Sequence, residues 1–193
     1  MELEKIRTPE ELLEYMKKNI TYGFIGKNNK VYKNPLSKEW DDWKEECIVQ
    51  TGKEVVNTKI GTCYDQVEFE RLWFEKHHYE LKTVFLCFEV DYENNYPTHT
   101  FLVYKKNQKW YWFEHAFEPC RGIHEFDSLE ETINTVISKQ LEYAISIGIA
   151  KESDKKLIKS YEYSKLTKPM DIEEFLNHCF IPLQEVGQSL LSF

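Results

Sequence analysis

The segment GTCYDQVEFERLWF, residues 61–74, predicts the central helix of the fold. Thr62 is placed to cap a helix, and Asp65 three residues later completes a capping pattern, so Cys63 takes the first helical position. The residues that follow are apolar around most of the helix circumference; they are Val67, Phe69, Leu72, Trp73 and Phe74. Such a distribution is typical of a helix buried in the core. The sequence therefore predicts a buried central helix that begins at a cysteine.

Downstream of this helix the pattern changes to that of β-strands. Residues 83–90 (TVFLCFEV) are β-branched, aromatic and almost wholly apolar, which indicates a central strand. Residues 98–105 and 109–117 form two further strands around a polar turn at residues 106–108. A short polar turn between two such strands predicts an antiparallel hairpin.

The register of this hairpin decides which polar side chains meet. If Lys106 and Lys109 flank a two-residue turn, Glu114 becomes the diagonal neighbour of His99 on the same face of the sheet. A slip of one residue would put His115 on that face instead, so His115 stays an alternative to His99.

Other segments surround these elements. A helix begins after the capping residue Thr8, and a polar loop covers residues 23–35. Residues 37–49 (SKEWDDWKEECIV) predict a helix that buries Trp40, Trp43 and Cys47. Ser128 caps a helix that reaches about residue 150, and a short helix begins at Asp171 after a charged loop. The order of helices, then an antiparallel sheet, then helices predicts the α+β class.

The size and composition of the chain exclude several classes of protein and partner. The 193 residues suit a single domain, residues 1–193, and a formal net charge of −8 argues against a nucleic-acid or anionic-membrane partner. The N-terminal residues MELEKIRTPEEL lack the apolar core of a signal peptide, and no apolar stretch is long enough to cross a bilayer. Five cysteines without a CxxC spacing argue against a disulfide framework. We therefore expect a cytoplasmic protein with reduced thiols.

One set of residues calls for a chemical explanation. A thiol is a good nucleophile once it is ionised, and a helix N-terminus or a neighbouring imidazolium favours that ionisation. Cys63 has the helix position, and His99 on the hairpin can supply the imidazolium. Glu114 can hold the imidazole in its orientation, as the third member of a catalytic triad does. The sequence predicts Cys63, His99 and Glu114 as catalytic residues.

These residues also carry a resemblance to a known family. The segment EVVNTKIGTCYDQVEFERLWFEK, residues 54–76, resembles the nucleophile segment of the transglutaminase-like superfamily, which is distantly papain-like. In that family the cysteine begins a central helix packed on an antiparallel sheet, and histidine and an acid follow on successive strands. The resemblance covers roughly residues 55–116, with 36 residues from Cys63 to His99 and 15 from His99 to Glu114. Glu114 stands where the family usually has Asp, often followed by Pro.

The resemblance implies acyl transfer at a carboxamide or peptide carbonyl of a peptide or protein substrate. Cys63 would attack the carbonyl, His99 would protonate the leaving amine, and the backbone N–H of Cys63 would contribute to an oxyanion hole. A second donor is expected from an upstream aromatic or amide side chain. The acceptor can be water or an amine, and no metal or organic cofactor is implied.

Two other hypotheses remain open at the level of sequence. The same fold could serve as a protein-binding module whose triad has lost its function. A small zinc-stabilised binding protein is the third hypothesis, with Cys120 and His124 as one half of the site and His178 and Cys179 as the other. Cys47 and Cys87 lie in apolar patterns and are expected to be core residues.

Overall fold

The computed structural model describes residues 2–33, 43–88 and 97–181. In these ranges the helices are α1 (Pro9–Asn19), α2 (Trp43–Glu46), α3 (Gly52–Thr58), α4 (Cys63–Lys76), α5 (Leu129–Ser146) and α6 (Ile172–Phe180). The strands are β1 (Thr21–Tyr22), β2 (Phe24–Gly26), β3 (Val31–Tyr32), β4 (Cys47–Val49), β5 (Ile60–Gly61), β6 (Glu80–Phe88), β7 (His99–Lys106), β8 (Lys109–Glu114), β9 (Gly122–Phe126), β10 (Ile158–Glu162) and β11 (Met170–Asp171). Short 3-10 helices cover Glu2–Lys5, Glu118–Cys120 and Glu152–Leu157.

The strands form two antiparallel sheets and one small parallel pair. The larger sheet has five strands in the order β10-β6-β7-β8-β9, and the smaller has four in the order β11-β4-β2-β3. Strands β1 and β5 pair in parallel just before α4. The chain is therefore a mixed structure of helices and antiparallel sheets, which confirms the α+β prediction.

The hairpin of β7 and β8 has the predicted register. Lys106 pairs with Lys109 and Leu102 with Phe113 across the two strands. Asn107 has φ 52° and Gln108 has φ 65°, so both turn residues adopt the left-handed conformation that a two-residue type I′ turn requires.

Helix α4 is the centre of the core. Eleven of its fourteen residues are buried, so the helix is covered on nearly every side. Its Phe74 ring lies 4.6 Å from the Tyr104 ring of β7 and 5.3 Å from the Phe113 ring of β8, measured between centroids. The opposite face of the sheet, with Val103 and Trp112, packs against Val136 of α5. The five-stranded sheet thus lies between α4 and α5.

Two glycines allow other elements to approach α4 closely. A Cβ atom built on Gly61 of β5 would lie 2.7 Å from the Cβ of Asp65. A Cβ atom on Gly52, the first residue of α3, would collide with the backbone carbonyl of Glu68. Because neither glycine carries a side chain, α3 and β5 lie directly against the first turns of α4.

The predicted N-terminal elements need two corrections. The helix predicted for residues 37–49 is wrong for its last three residues, because Cys47–Val49 form β4, which pairs with β2 and β11. The backbone hydrogen bonds of these two neighbours replace those of a further helical turn. Trp40 lies outside the described residues. The segment predicted as a loop at residues 23–35 contains the β2–β3 hairpin.

The C-terminal half also contains more strands than predicted. Residues Gly122–Phe126, for which no strand is predicted from the sequence, form β9, which pairs with β8. The charged loop predicted after residue 150 contains a 3-10 helix and β10, which pairs with β6. Helix α5 ends at Ser146, before the predicted residue 150, and Gly148 follows with φ 76°.

The last helix and the first strand of the large sheet were also predicted. The short helix predicted from Asp171 is confirmed, because the Asp171 carboxylate accepts the Glu174 N–H at 2.9 Å and caps α6. The end of the strand predicted for residues 83–90 lies partly outside the described ranges. None of the helices in those ranges is long and apolar enough to cross a membrane.

Candidate active site

The N-terminus of α4 is fixed by a buried carboxylate. Asp65 Oδ2 accepts the N–H and the hydroxyl of Thr62 at 2.7 and 2.9 Å, and Asp65 Oδ1 accepts the Gln50 N–H at 2.6 Å. Burial raises the pKa of Asp65 to about 7, although these hydrogen bonds act to lower it. The carboxylate therefore joins the ends of β4 and β5 to α4 and places Cys63 at the first helical position.

His99 and Glu114 form a buried pair across the hairpin. His99 Nε2 donates to Glu114 Oε2 at 2.8 Å, and both residues are less than 5% exposed. The same carboxylate accepts the indole N–H of Trp112 at 3.1 Å and the backbone N–H of Phe117 at 2.7 Å. Three donors therefore hold Glu114 in one orientation, and Glu114 in turn orients the imidazole.

Cys63 completes the group from the helix side. Burial acts to lower the pKa of His99, but the charge of Glu114 and hydrogen bonds with Cys63 and Glu114 outweigh it and raise the pKa to about 10. The imidazole is therefore protonated at neutral pH. Because Nε2 is bound to Glu114, Nδ1 is the nitrogen left for the thiol. The structure brings together all three residues that the sequence analysis selected.

His115, the alternative histidine, lies in a different environment. Its Nδ1 donates to Gln66 Oε1 at 2.6 Å, and the Gln66 amide donates to the Gly61 carbonyl at 2.7 Å. Burial and the nearby Arg121 guanidinium lower the pKa of His115 to about 4. This imidazole is neutral at physiological pH and is bound to the side of α4, so it does not take the position of His99.

The remaining cysteines lie in less favourable surroundings for a thiolate. Cys47 is fully buried in the core, as predicted, and burial raises its pKa, with further contributions from Asp65 and Cys63. Burial also raises the pKa of Cys179 and of the half-buried Cys120. Cys87 packs against the core as a half-buried residue.

The residues of the zinc hypothesis have protein partners of their own. His124 Nε2 donates to the Cys120 carbonyl at 2.8 Å, and His178 Nε2 donates to the Ser164 carbonyl at 2.8 Å. In the part of the chain that the structure describes, no three His, Cys, Asp or Glu residues are grouped in a way that could hold a metal ion.

Glu70 is a buried acid near the site that the sequence analysis missed. It lies two turns after Cys63 on α4, is 2% exposed, and its Oε2 has no hydrogen-bond partner among the described residues. Burial raises its pKa well above the usual range, and Glu114 and Cys63 raise it further. Seven residues correspond to two helical turns, so the spacing alone could have placed Glu70 on the face of Cys63.

We expect Glu70→Gln to change how stability depends on pH. An acid whose pKa is raised by folding stays protonated in the folded protein but ionises in the unfolded chain, so it destabilises the fold increasingly as pH rises above its ordinary value of 4.5. As pH rises, the free energy of unfolding of the variant should therefore increase relative to that of the wild type, by up to about 1.4 kcal/mol per pH unit. Urea unfolding at pH 6, 7 and 8 measures this difference. A constant difference between the two proteins would mean that Glu70 is ionised in the fold.

Comparison with known proteins adds no assignment to this geometry. No family model, no curated protein and no solved structure matches the chain at a significant level. The chemistry of the site is therefore inferred from its own residues.

Proposed function

We propose that the chain is a cysteine-dependent enzyme with a transglutaminase-like core that transfers or hydrolyses acyl groups at carboxamide bonds of peptides or proteins. Cys63 would be the nucleophile, His99 the acid and base, and Glu114 the orienting residue. The observation that carries the proposal is the position of His99, which bonds to Glu114 at 2.8 Å and to the thiol of Cys63. This arrangement favours a thiolate–imidazolium pair at the start of a helix.

The reaction follows from the contacts of these residues. The Cys63 sulfur attacks the carbonyl carbon, and the developing oxyanion is stabilised by backbone N–H groups of the first helical turn, which have no carbonyl partner within the helix. His99 passes its proton to the leaving amine as the C–N bond breaks. The neutral imidazole then takes a proton from water or from an amine, which attacks the thioester and releases Cys63.

The architecture around the site supports the same proposal. The cysteine begins the most buried helix, that helix packs on an antiparallel sheet, and the histidine and the acid come from two successive strands of that sheet. This is the arrangement that the resemblance to the transglutaminase-like superfamily implies.

The burial of several ionisable groups favours an enzyme over a binding module. Asp65, Glu70, His99 and Glu114 are all less than 5% exposed. Removing charged groups from water costs free energy that their mutual attraction recovers only in part, whereas apolar residues of similar size would stabilise the core. Asp65 also caps α4 and would serve any protein of this fold, but a module that needed only the fold would have no use for the buried pair of His99 and Glu114.

The reactivity of the five cysteines tests the proposal. We expect Cys63 in the native protein to react with iodoacetamide at pH 6 at least about ten times faster than Cys120. A thiol of ordinary pKa is only about 0.3% ionised at that pH, and burial raises the pKa of Cys120. Mass spectrometry of tryptic peptides gives the rate at each cysteine.

Two controls make this experiment specific. In denaturant the rates at Cys63 and Cys120 should become equal, and Cys63→Ala should remove the fast reaction while leaving the fold intact. If Cys63 reacts no faster than Cys120 in the native protein, the enzyme proposal is wrong. The binding-module hypothesis would then lead, and a search for protein partners would follow.

A further inference from the structure

A patch of exposed apolar side chains lies next to the candidate active site. Residues 143–150 (YAISIGIA) carry no charge, although 30% of the whole chain is charged. Tyr143 is 39% exposed and Ile147, one helical turn further on, is 46% exposed. We call Phe117, Tyr143 and Ile147 the apolar rim.

Ring contacts connect the apolar rim to the catalytic histidine. The Phe117 ring lies 5.7 Å from the His99 ring, and the Tyr143 ring lies 5.5 Å from the Phe117 ring at an interplanar angle of 75°. A continuous row of rings thus leads from the imidazole to the exposed face of α5. The same Phe117 donates its backbone N–H to Glu114, which fixes the row relative to the triad.

Tyr22 is a second tyrosine near the site, in strand β1, where it pairs with Gly61 two residues before Cys63. It is 39% exposed as a whole residue. Burial raises the pKa of Tyr22 well above the usual range. The negative charges of Cys63 and Asp65 raise this pKa further, and Glu114 and Tyr143 have smaller effects in the same direction. Tyr22 therefore lies within electrostatic reach of both Cys63 and Tyr143.

We propose that the apolar rim binds an apolar side chain of the acyl donor, preferably an aromatic one, next to the carbonyl that Cys63 attacks. This inference rests on the proposed function and names the substrate class for that site. Tyr143 is then a residue that determines specificity, because it is the exposed ring at the end of the row.

The charges near the apolar rim support an uncharged substrate side chain. Lys139 and Glu142, which precede Tyr143 on α5, pair with each other at 2.8 Å. Their opposite charges offset each other, so they offer no strong attraction to a charged substrate group. Exposed rings instead favour the burial of another ring in an edge-to-face or offset arrangement.

Two affinity reagents measure this preference without a known substrate. In both N-acetyl-phenylalanyl and N-acetyl-alanyl chloromethyl ketone, the Cys63 sulfur displaces chloride and forms a thioether. We expect the phenylalanyl reagent to react at least about tenfold faster with the wild type than the alanyl reagent. The ratio of the two rate constants should fall about tenfold in Tyr143→Ala and should remain in Tyr143→Phe, which keeps the ring.

A matched control and a second reagent separate the possible results. Val31→Ala removes a side chain of similar exposure, 41%, from the four-stranded sheet and should leave the ratio unchanged. Suppose that iodoacetamide reacts rapidly at Cys63. If the ratio of the phenylalanyl to the alanyl rate constant is then near one in the wild type, or does not change in Tyr143→Ala, this inference is wrong and the proposed function stands. If Cys63 is not activated toward iodoacetamide, the proposed function is wrong and this inference falls with it.

Discussion

His99→Ala is expected to slow the alkylation of Cys63 at pH 6 about tenfold, to a rate similar to that of Cys120. In the wild type, the protonated imidazole, with a pKa raised to about 10, stabilises the thiolate at every pH below that value. A thiol without a neighbouring cation becomes a good nucleophile only as pH rises. The difference between the two proteins should therefore decrease as pH rises toward 9. Rates of iodoacetamide labelling between pH 5 and 9 give both profiles.

His115→Ala is the matched control for this experiment. It removes a buried histidine one residue from Glu114, but that histidine is bound to Gln66 on α4. Its pKa, lowered to about 4, keeps it uncharged at pH 6. The labelling profile of Cys63 should therefore resemble the wild type. If His115→Ala causes the loss and His99→Ala does not, the assignment of His99 as the histidine that activates Cys63 is wrong.

Two substitutions of Glu114 are expected to separate its effect on the imidazole of His99 from its effect on the stability of the fold. Glu114→Gln keeps a carbonyl oxygen for His99 and Trp112, which share Oε2, but places an NH2 group opposite the Phe117 N–H. It also removes the charge that raises the pKa of His99. Burial then favours the neutral imidazole, and the labelling of Cys63 at pH 6 should slow severalfold, less than in His99→Ala.

Glu114→Ala also leaves the N–H groups of His99, Trp112 and Phe117 without their acceptor. We expect that variant to lose about 3 kcal/mol or more of stability and about 10 °C in Tm.

The pH dependence of stability provides an independent check of the same pair. The pKa of His99 rises from its ordinary value of 6.5 to about 10 on folding. The charged pair therefore stabilises the fold fully below about pH 6.5, and this stabilisation is lost as pH rises through about 10. The difference in unfolding free energy between the wild type and Glu114→Gln should thus be clearly larger at pH 6 than at pH 10, where only the pH-independent loss of the Phe117 acceptor remains. A difference that is constant over this range would show that His99 is neutral in the fold.

The parts of the site that could be predicted from the sequence are those set by local geometry. The capping pattern of Thr62 and Asp65 fixes where α4 begins, and therefore the position of Cys63. The two-residue turn fixes the register of β7 and β8, and therefore which of two histidines can reach Glu114. Each of these inferences needed only residues close in sequence, together with the period of the element they belong to.

Other features depend on partners distant in sequence. The helical pattern ending at Cys47–Val49 gives way to a strand because β2 and β11 supply backbone hydrogen bonds. Nothing within the charged segment indicated that β10 would pair with β6, some seventy residues earlier. The burial of Glu70 is also a tertiary effect, since glutamate on a helix is ordinarily exposed.

The candidate site is held in place by the deeply buried helix α4. Backbone segments with deeply buried contacts open only rarely, often only when the whole domain unfolds. The sulfur of Cys63 is attached to the first residue of such a segment, and its two partners lie on the adjoining hairpin. In the proposed enzyme, the conformational entropy of bringing these three groups together would therefore be lost during folding and not again at each turnover. Heat would inactivate such a site by melting the domain, not by loosening the nucleophile first.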